Sequence, residues 1–95
     1  MRFNAAAAKP KYVEIAKACG VYQEGMSIDE AVDAACKAIE DLSKLVGIPQ
    51  HLTDLGITEQ DIPALAEQAI VDVCTPGNPR DVTKEDIVEL YKQIL

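Results

Sequence analysis

The sequence predicts an all-α fold of about four helices, and three observations support this class. Apolar residues recur at steps of three and four positions, which is the spacing of a helix face. No stretch shows sustained two-residue alternation with β-branched enrichment, so no sheet is predicted. Three sites pair a serine or threonine with an acidic residue three positions later, a pattern that begins helices; they are at Ser27, Thr58 and Thr83.

The first predicted helix opens at Pro10, because a proline in the first turn of a helix loses no hydrogen bond. Its apolar face is expected to contain Val13, Ile15, Ala16 and Cys19, and Gly20 is expected to close it. A glycine directly after a helix can adopt the left-handed conformation that ends it.

The second predicted helix follows Ser27 and is the best-defined element of the sequence. One stripe along it carries apolar residues at steps of 4, 3, 4, 3 and 4 positions: Ile28, Val32, Ala35, Ile39, Leu42 and Val46. We expect the helix to end near Gly47, before Pro49. We also expect this stripe to be buried against the helix from Ile62, so that Ile39 is a core residue.

Two further helices are predicted after Thr58 and Thr83. The third should bury Ile62, Leu65, Ala66, Ala69, Ile70 and Val73 and stop by Thr75-Pro76-Gly77. The fourth, from Lys84, should bury Ile87, Leu90, Tyr91 and Ile94 and run to the chain end. The residues between Pro49 and Ile57 favour a short turn of helix.

Length and charge restrict the partners. Ninety-five residues suit a single helical segment spanning positions 1–95, and nine basic against sixteen acidic residues give a net charge of −7. This charge repels phosphate backbones and anionic lipid, so we expect neither nucleic acid nor a membrane as a partner. The longest apolar run, Ala5–Ala8, is far short of the roughly 20 residues of a membrane span, and without a signal-peptide pattern we expect a cytoplasmic location.

The candidate functional residues are few. His51 is the only histidine, and nothing beside it completes a metal site or a catalytic dyad, so we expect an exposed position without a catalytic role. Three cysteines without a Cys-x-x-Cys pair are expected to be reduced thiols, with Cys19 and Cys36 buried among apolar residues.

The segment from Cys74 to Asp81 contains two prolines, a glycine and an arginine just before a helix. It is either an ordered connection between helices or a loop that places Cys74 and Asn78 near a ligand pocket. The residues alone leave both interpretations open.

Taken together, several segments resemble the C-terminal stretch of the iron-dependent (group III) alcohol dehydrogenases. The resemblance covers nearly the whole chain and is most specific where an Asn-Pro-Arg loop precedes a capped terminal helix. The segments are Met1–Asn4, Gly47–Pro49, Leu55–Ile57, Asp61–Ala66, Gly77–Arg80 and Thr83–Ile87.

The resemblance implies an enzyme that interconverts small alcohols or diols and aldehydes, with a Rossmann-like domain for NAD(P) and a helical domain that holds iron between one aspartate and three histidines. It also implies that the present chain begins after the last of those histidines and lacks the cofactor domain. We therefore expect no catalytic, metal-binding or cofactor-binding residue here and no activity of the chain alone. Cys74 is implied to line the substrate pocket.

Two partners are expected on this basis. One is the missing remainder of the parent chain, and the other is a second copy, because apolar surface that the parent covers would face water here. The alternative is an independent acidic helical module, such as an adaptor or an acyl-carrier-like domain. A carrier needs a modifiable serine at a helix start, and Ser27 lacks the usual preceding aspartate.

Overall fold

The structure is a computed structural model that describes all 95 residues, Met1–Leu95. As predicted, it contains four α-helices and no strand: α1 (Ala5–Ala18), α2 (Ile28–Leu45), α3 (Ile62–Val71) and α4 (Lys84–Gln93). Short 3-10 turns lie at Arg2–Asn4, Leu52–Leu55, Glu59–Asp61 and Thr75–Gly77, so the predicted turn of helix before Ile57 is confirmed. The chain divides into two compact units, Met1–Ile48 and Pro49–Leu95. No helix is both long enough and apolar enough to span a bilayer.

Helix α1 begins earlier than the sequence predicted. It starts at Ala5 and contains Pro10, and the helix is kinked at Ala8, where φ is −142° and ψ is 26°. A proline ring clashes with the carbonyl four residues earlier, so the helix is interrupted just ahead of Pro10. Pro10 does lie in the first turn after the kink, but the alanine run ahead of it is helical as well, in keeping with the high helix propensity of alanine.

Only two of the six residues in the apolar stripe of α2 are buried. Val32 and Ala35 are buried, together with the neighbouring Ala31 and Cys36. Ile39 is 36% exposed, so the prediction that it is a core residue is wrong. The cause is that α1 covers α2 only between Ala31 and Cys36 and leaves its first residue and its last turns open. The helix ends at Leu45, and Gly47 follows with φ of 80°, close to the predicted end.

The first unit, Met1–Ile48, is a hairpin of α1 and α2 built around alanine. Ala16, Ala31 and Ala35 are fully buried, and small side chains let the two backbones approach closely. Tyr12 is the large core residue between them, and its hydroxyl donates to the Met1 carbonyl at 2.6 Å. Cys36 is buried as predicted, whereas Cys19 is exposed because it caps the C-terminus of α1 and falls outside the contact.

The second unit, Pro49–Leu95, contains the pair α3 and α4. Its buried residues are Ile62 and Ala66 on α3 and Ile87 on α4. Helix α3 ends at Val71, before the predicted limit at Thr75, and a separate 3-10 turn occupies Thr75–Gly77. The helix is therefore shorter than the predicted apolar face, which extended to Val73. Val73 is therefore outside the helix and 91% exposed, contrary to its predicted place on the apolar face.

Side chains begin the predicted helices. The Ser27 hydroxyl accepts from the Glu30 N–H at 3.1 Å, although Glu30 does not return the second bond of the expected capping box. Thr83 and Asp86 form a reciprocal pair, with the Thr83 N–H donating to Asp86 Oδ2 at 3.0 Å and the Asp86 N–H donating to Thr83 Oγ1 at 3.1 Å. These bonds satisfy backbone donors that a helix leaves free at its start.

The two aspartates of the second unit's caps make its stability depend on acid. The Thr58 N–H donates to Asp61 and the Thr83 N–H to Asp86, and these bonds lower the pKa of both carboxyls below the ordinary 3.8. A lowered folded-state pKa adds stability above the ordinary value, and this stability is lost as the pH falls through the lower one. We expect unfolding to become easier below about pH 4.

The test is urea unfolding of the wild type and of the Asp61→Asn/Asp86→Asn double variant between pH 7 and pH 2. The variant should be less stable at neutral pH and should lose less stability on acidification. Asp81→Asn removes a carboxylate outside both caps and should keep the wild-type acid dependence. An unchanged acid dependence in the double variant would contradict this account.

Candidate functional site

The connection between α3 and α4 is an ordered loop that carries Cys74. The Cys74 N–H donates to Asp72 Oδ1 at 2.8 Å, and the Thr75 hydroxyl donates to the Ala69 carbonyl at 2.6 Å. Further along, the Asn78 side-chain amide donates to the Arg80 carbonyl at 2.7 Å. Two prolines add stiffness, because each fixes its own φ. The loop is therefore held in place by side chain to backbone bonds at both ends.

A shallow depression of about 330 Å³ lies beside this loop. Its lining combines apolar side chains with an amide, a guanidinium and a carboxylate: Ile70, Thr75, Pro76, Asn78, Arg80, Asp81 and Val82. Asn78, which the sequence singled out, is among these residues. Cys74 is exposed and is not one of them. The assignment of Cys74 to a substrate pocket therefore stays a prediction.

The donor groups of this chain do not fit an iron site. His51 is exposed, as predicted, at the start of the Leu52–Leu55 turn, and its backbone N–H donates to Asp54 Oδ2 at 3.3 Å. No group of three or more His, Cys, Asp or Glu side chains could hold a metal ion. An iron site needs several nitrogen or oxygen ligands that converge.

One surface was not singled out from the sequence. The second half of α2 and the turn after it expose five aliphatic side chains: Ile39, Leu42, Leu45, Val46 and Ile48. The apolar periodicity of the helix was visible in the sequence, but periodicity identifies an apolar face and does not show how far along the helix a partner covers it.

Comparison with known proteins gives the relationship of the chain. The profile of the Fe-containing alcohol dehydrogenase family, C-terminal, matches residues 1–95. Lactaldehyde reductase of Escherichia coli (strain K12) is 56% identical over 91 residues, which cover 96% of this chain and 24% of that protein. The 1,3-propanediol dehydrogenase of Citrobacter freundii is 40% identical over 92 residues, covering 97% of this chain and 24% of the relative.

A solved structure shows the same fold. The crystal structure of 1,3-propanediol oxidoreductase matches this chain with a TM-score of 0.94 at 38% identity, covering 99% of this chain and 25% of the other. The chain thus spans about a quarter of the length of these relatives. The predicted all-α class and the resemblance noted in the sequence are both confirmed: the chain belongs to the Fe-containing alcohol dehydrogenase family and corresponds to its C-terminal region.

Proposed function

We propose that this chain is the C-terminal part of an iron-dependent, NAD(P)-linked alcohol dehydrogenase that interconverts small alcohols or diols and aldehydes. The observation that carries the proposal is 56% identity to lactaldehyde reductase across 96% of the chain. Identity at this level favours the same substrate class, small hydroxy-carbonyl compounds. The iron ligands and the nicotinamide site then belong to the part of the protein that corresponds to the other three quarters of its relatives.

Within such an enzyme, the chain supplies a rigid wall and no reacting group. The hydrogen bonds at Asp72, Thr75 and Asn78 hold the loop after α3 in one shape. We place Cys74 against the substrate, where a small polarizable side chain limits the size of the alcohol that fits. A substrate held in a fixed position reacts faster because its orientation is already set.

A chimera tests the proposal. The 91 residues of E. coli lactaldehyde reductase that align with this chain are replaced by the matching residues of this chain, and NADH oxidation with lactaldehyde is measured after loading with iron. We expect the activity of the chimera to be within about tenfold of that of intact E. coli lactaldehyde reductase. This chain alone, and the E. coli enzyme without the replaced residues, should show no activity. A chimera that is folded by circular dichroism and binds iron, yet lacks activity, would contradict the proposal.

The two exposed cysteines give a matched test of the pocket role. In the chimera, Cys74→Phe should raise KM for lactaldehyde by about tenfold or more, because a large ring fills space that the substrate needs. Cys19→Phe places the same ring at the exposed end of α1 and should leave KM unchanged. Equal KM values for the two variants would remove Cys74 from the pocket.

The alternative of an independent acidic module has less support. The family match extends over all 95 residues, and no observation specific to a carrier or adaptor favours that class. Ser27, the residue a carrier would modify, uses its hydroxyl to cap α2.

A further inference from the structure

The apolar end of α2, defined as Ile39, Leu42, Leu45, Val46 and Ile48, is an unusual surface for so small a chain. Leu42 is 52% exposed and Leu45 is 82% exposed. Together the five side chains present an apolar patch on the order of several hundred Å², the size at which such patches usually mark an interaction site. Isolated exposed leucines need no explanation, but a contiguous face does.

The patch continues the buried face of the same helix. Val32 and Ala35 precede Ile39, Leu42 and Val46 at helical spacing, and α1 covers only the first two. The exposed end is therefore an extension of a packing face beyond its partner.

Ion pairs between the N-terminal residues and α2 show how far along α2 the contact with α1 extends. Lys9 pairs with Asp29 at 2.7 Å, and Arg2 pairs with Asp33 at 2.8 Å and with Glu40 at 3.2 Å. The two helices are thus antiparallel, and the first residues of the chain lie beside the middle of α2. Beyond Glu40, α2 continues to Leu45, about 7.5 Å further at 1.5 Å per residue. This last stretch has no part of α1 beside it.

We propose that the apolar end of α2 is the docking surface for the polypeptide that immediately precedes residue 1 in a full-length family member, and that this segment presents an apolar face to it. The inference rests on the proposed function. The matched region is C-terminal and covers about a quarter of each relative, so the rest of their length precedes it. Arg2 pairs with Glu40, the residue that follows Ile39. A segment joined to the N-terminus at Met1 would therefore lie next to the apolar end of α2.

A second copy of the chain is the less fitting occupant. Two copies each carry a net charge of −7, which opposes their approach. In addition, the segment that precedes residue 1 in a full-length family member would lie beside the patch and would hinder the approach of a second copy. Self-association of the isolated chain, which the sequence led us to expect, is then a consequence of the missing segment and should weaken when the patch is truncated.

The test compares the same substitutions in two settings, the 95-residue chain and the chimera described above. Leu42→Ala/Leu45→Ala truncates the patch, and Lys37→Ala/Lys44→Ala truncates two long side chains elsewhere on α2 as a matched control. Thermal unfolding is followed by circular dichroism. The isolated chain is measured at a concentration where sedimentation equilibrium shows the wild type to be monomeric.

In the isolated chain, both pairs should shift the melting temperature by less than about 2 °C, since all four side chains are already exposed. In the chimera, the leucine pair should lower it by about 5–10 °C or prevent folding, and the lysine pair should leave it nearly unchanged. Val46→Ala, a smaller truncation, gives a measurable shift if the leucine pair does not fold.

The inference would be overturned if chimeras carrying the leucine pair or Val46→Ala had the same melting temperature as the wild-type chimera. It would also be overturned if the leucine pair lowered the melting temperature of the isolated monomer and of the chimera equally. Stability is read independently of turnover. An inactive chimera that shows the expected shifts contradicts only the proposed substrate class, and an active chimera without them contradicts only the docking surface.

Discussion

Replacing Tyr12 with alanine is expected to lower the free energy of unfolding of the first unit by about 3–5 kcal/mol. Tyr12 is 6% exposed and is the largest side chain in a core otherwise made mainly of alanine. The alanine side chains around it are too short to move into the space, so most of the cavity would remain. Urea unfolding of the 95-residue chain, followed by circular dichroism, measures the loss.

The conservative variant separates packing from hydrogen bonding. Tyr12→Phe keeps the ring and removes only the hydroxyl that donates to the Met1 carbonyl at 2.6 Å. It should cost about 1 kcal/mol, the usual net value of one such bond. If Tyr12→Phe were as harmful as Tyr12→Ala, then anchoring of the first residues, and not filling of the core, would hold the hairpin together.

In the second unit, Ile62→Ala is expected to cost about 2–5 kcal/mol. Ile62 is 1% exposed and is among the largest fully buried side chains of the chain. It lies at the first position of α3, directly after the capped turn at Thr58, so it contacts the core from a backbone position that the cap fixes. The loss of three carbon atoms there removes packing at a position that is closed to solvent.

Val71→Ala at the other end of the same helix is the matched control. Val71 is 78% exposed, so its truncation should change the free energy of unfolding by less than about 0.5 kcal/mol. Similar costs for the two substitutions would show that the buried face of α3 has been assigned incorrectly.

The candidate site was only partly predictable. The loop from Cys74 to Asp81 was identified by its prolines, glycine and arginine, and the structure shows that it is ordered by bonds from Asp72, Thr75 and Asn78. The depression beside it includes Asn78 but not Cys74. The direction in which each side chain of a loop points depends on the hydrogen bonds that form within the folded loop. The amino-acid composition of the loop does not specify those bonds.

The sequence by itself determined the class of the fold, the positions where three helices begin, and the family. Helix starts are local events, because Ser27 and Thr83 cap backbone groups three residues away whatever the rest of the chain does. Tertiary structure decided the rest. The position of α1 decides which part of the α2 stripe is buried, why Cys36 is buried while Cys19 is exposed, and that Tyr12 fills the hairpin core. Burial depends on two surfaces that meet, and the periodicity of one helix describes only one of them.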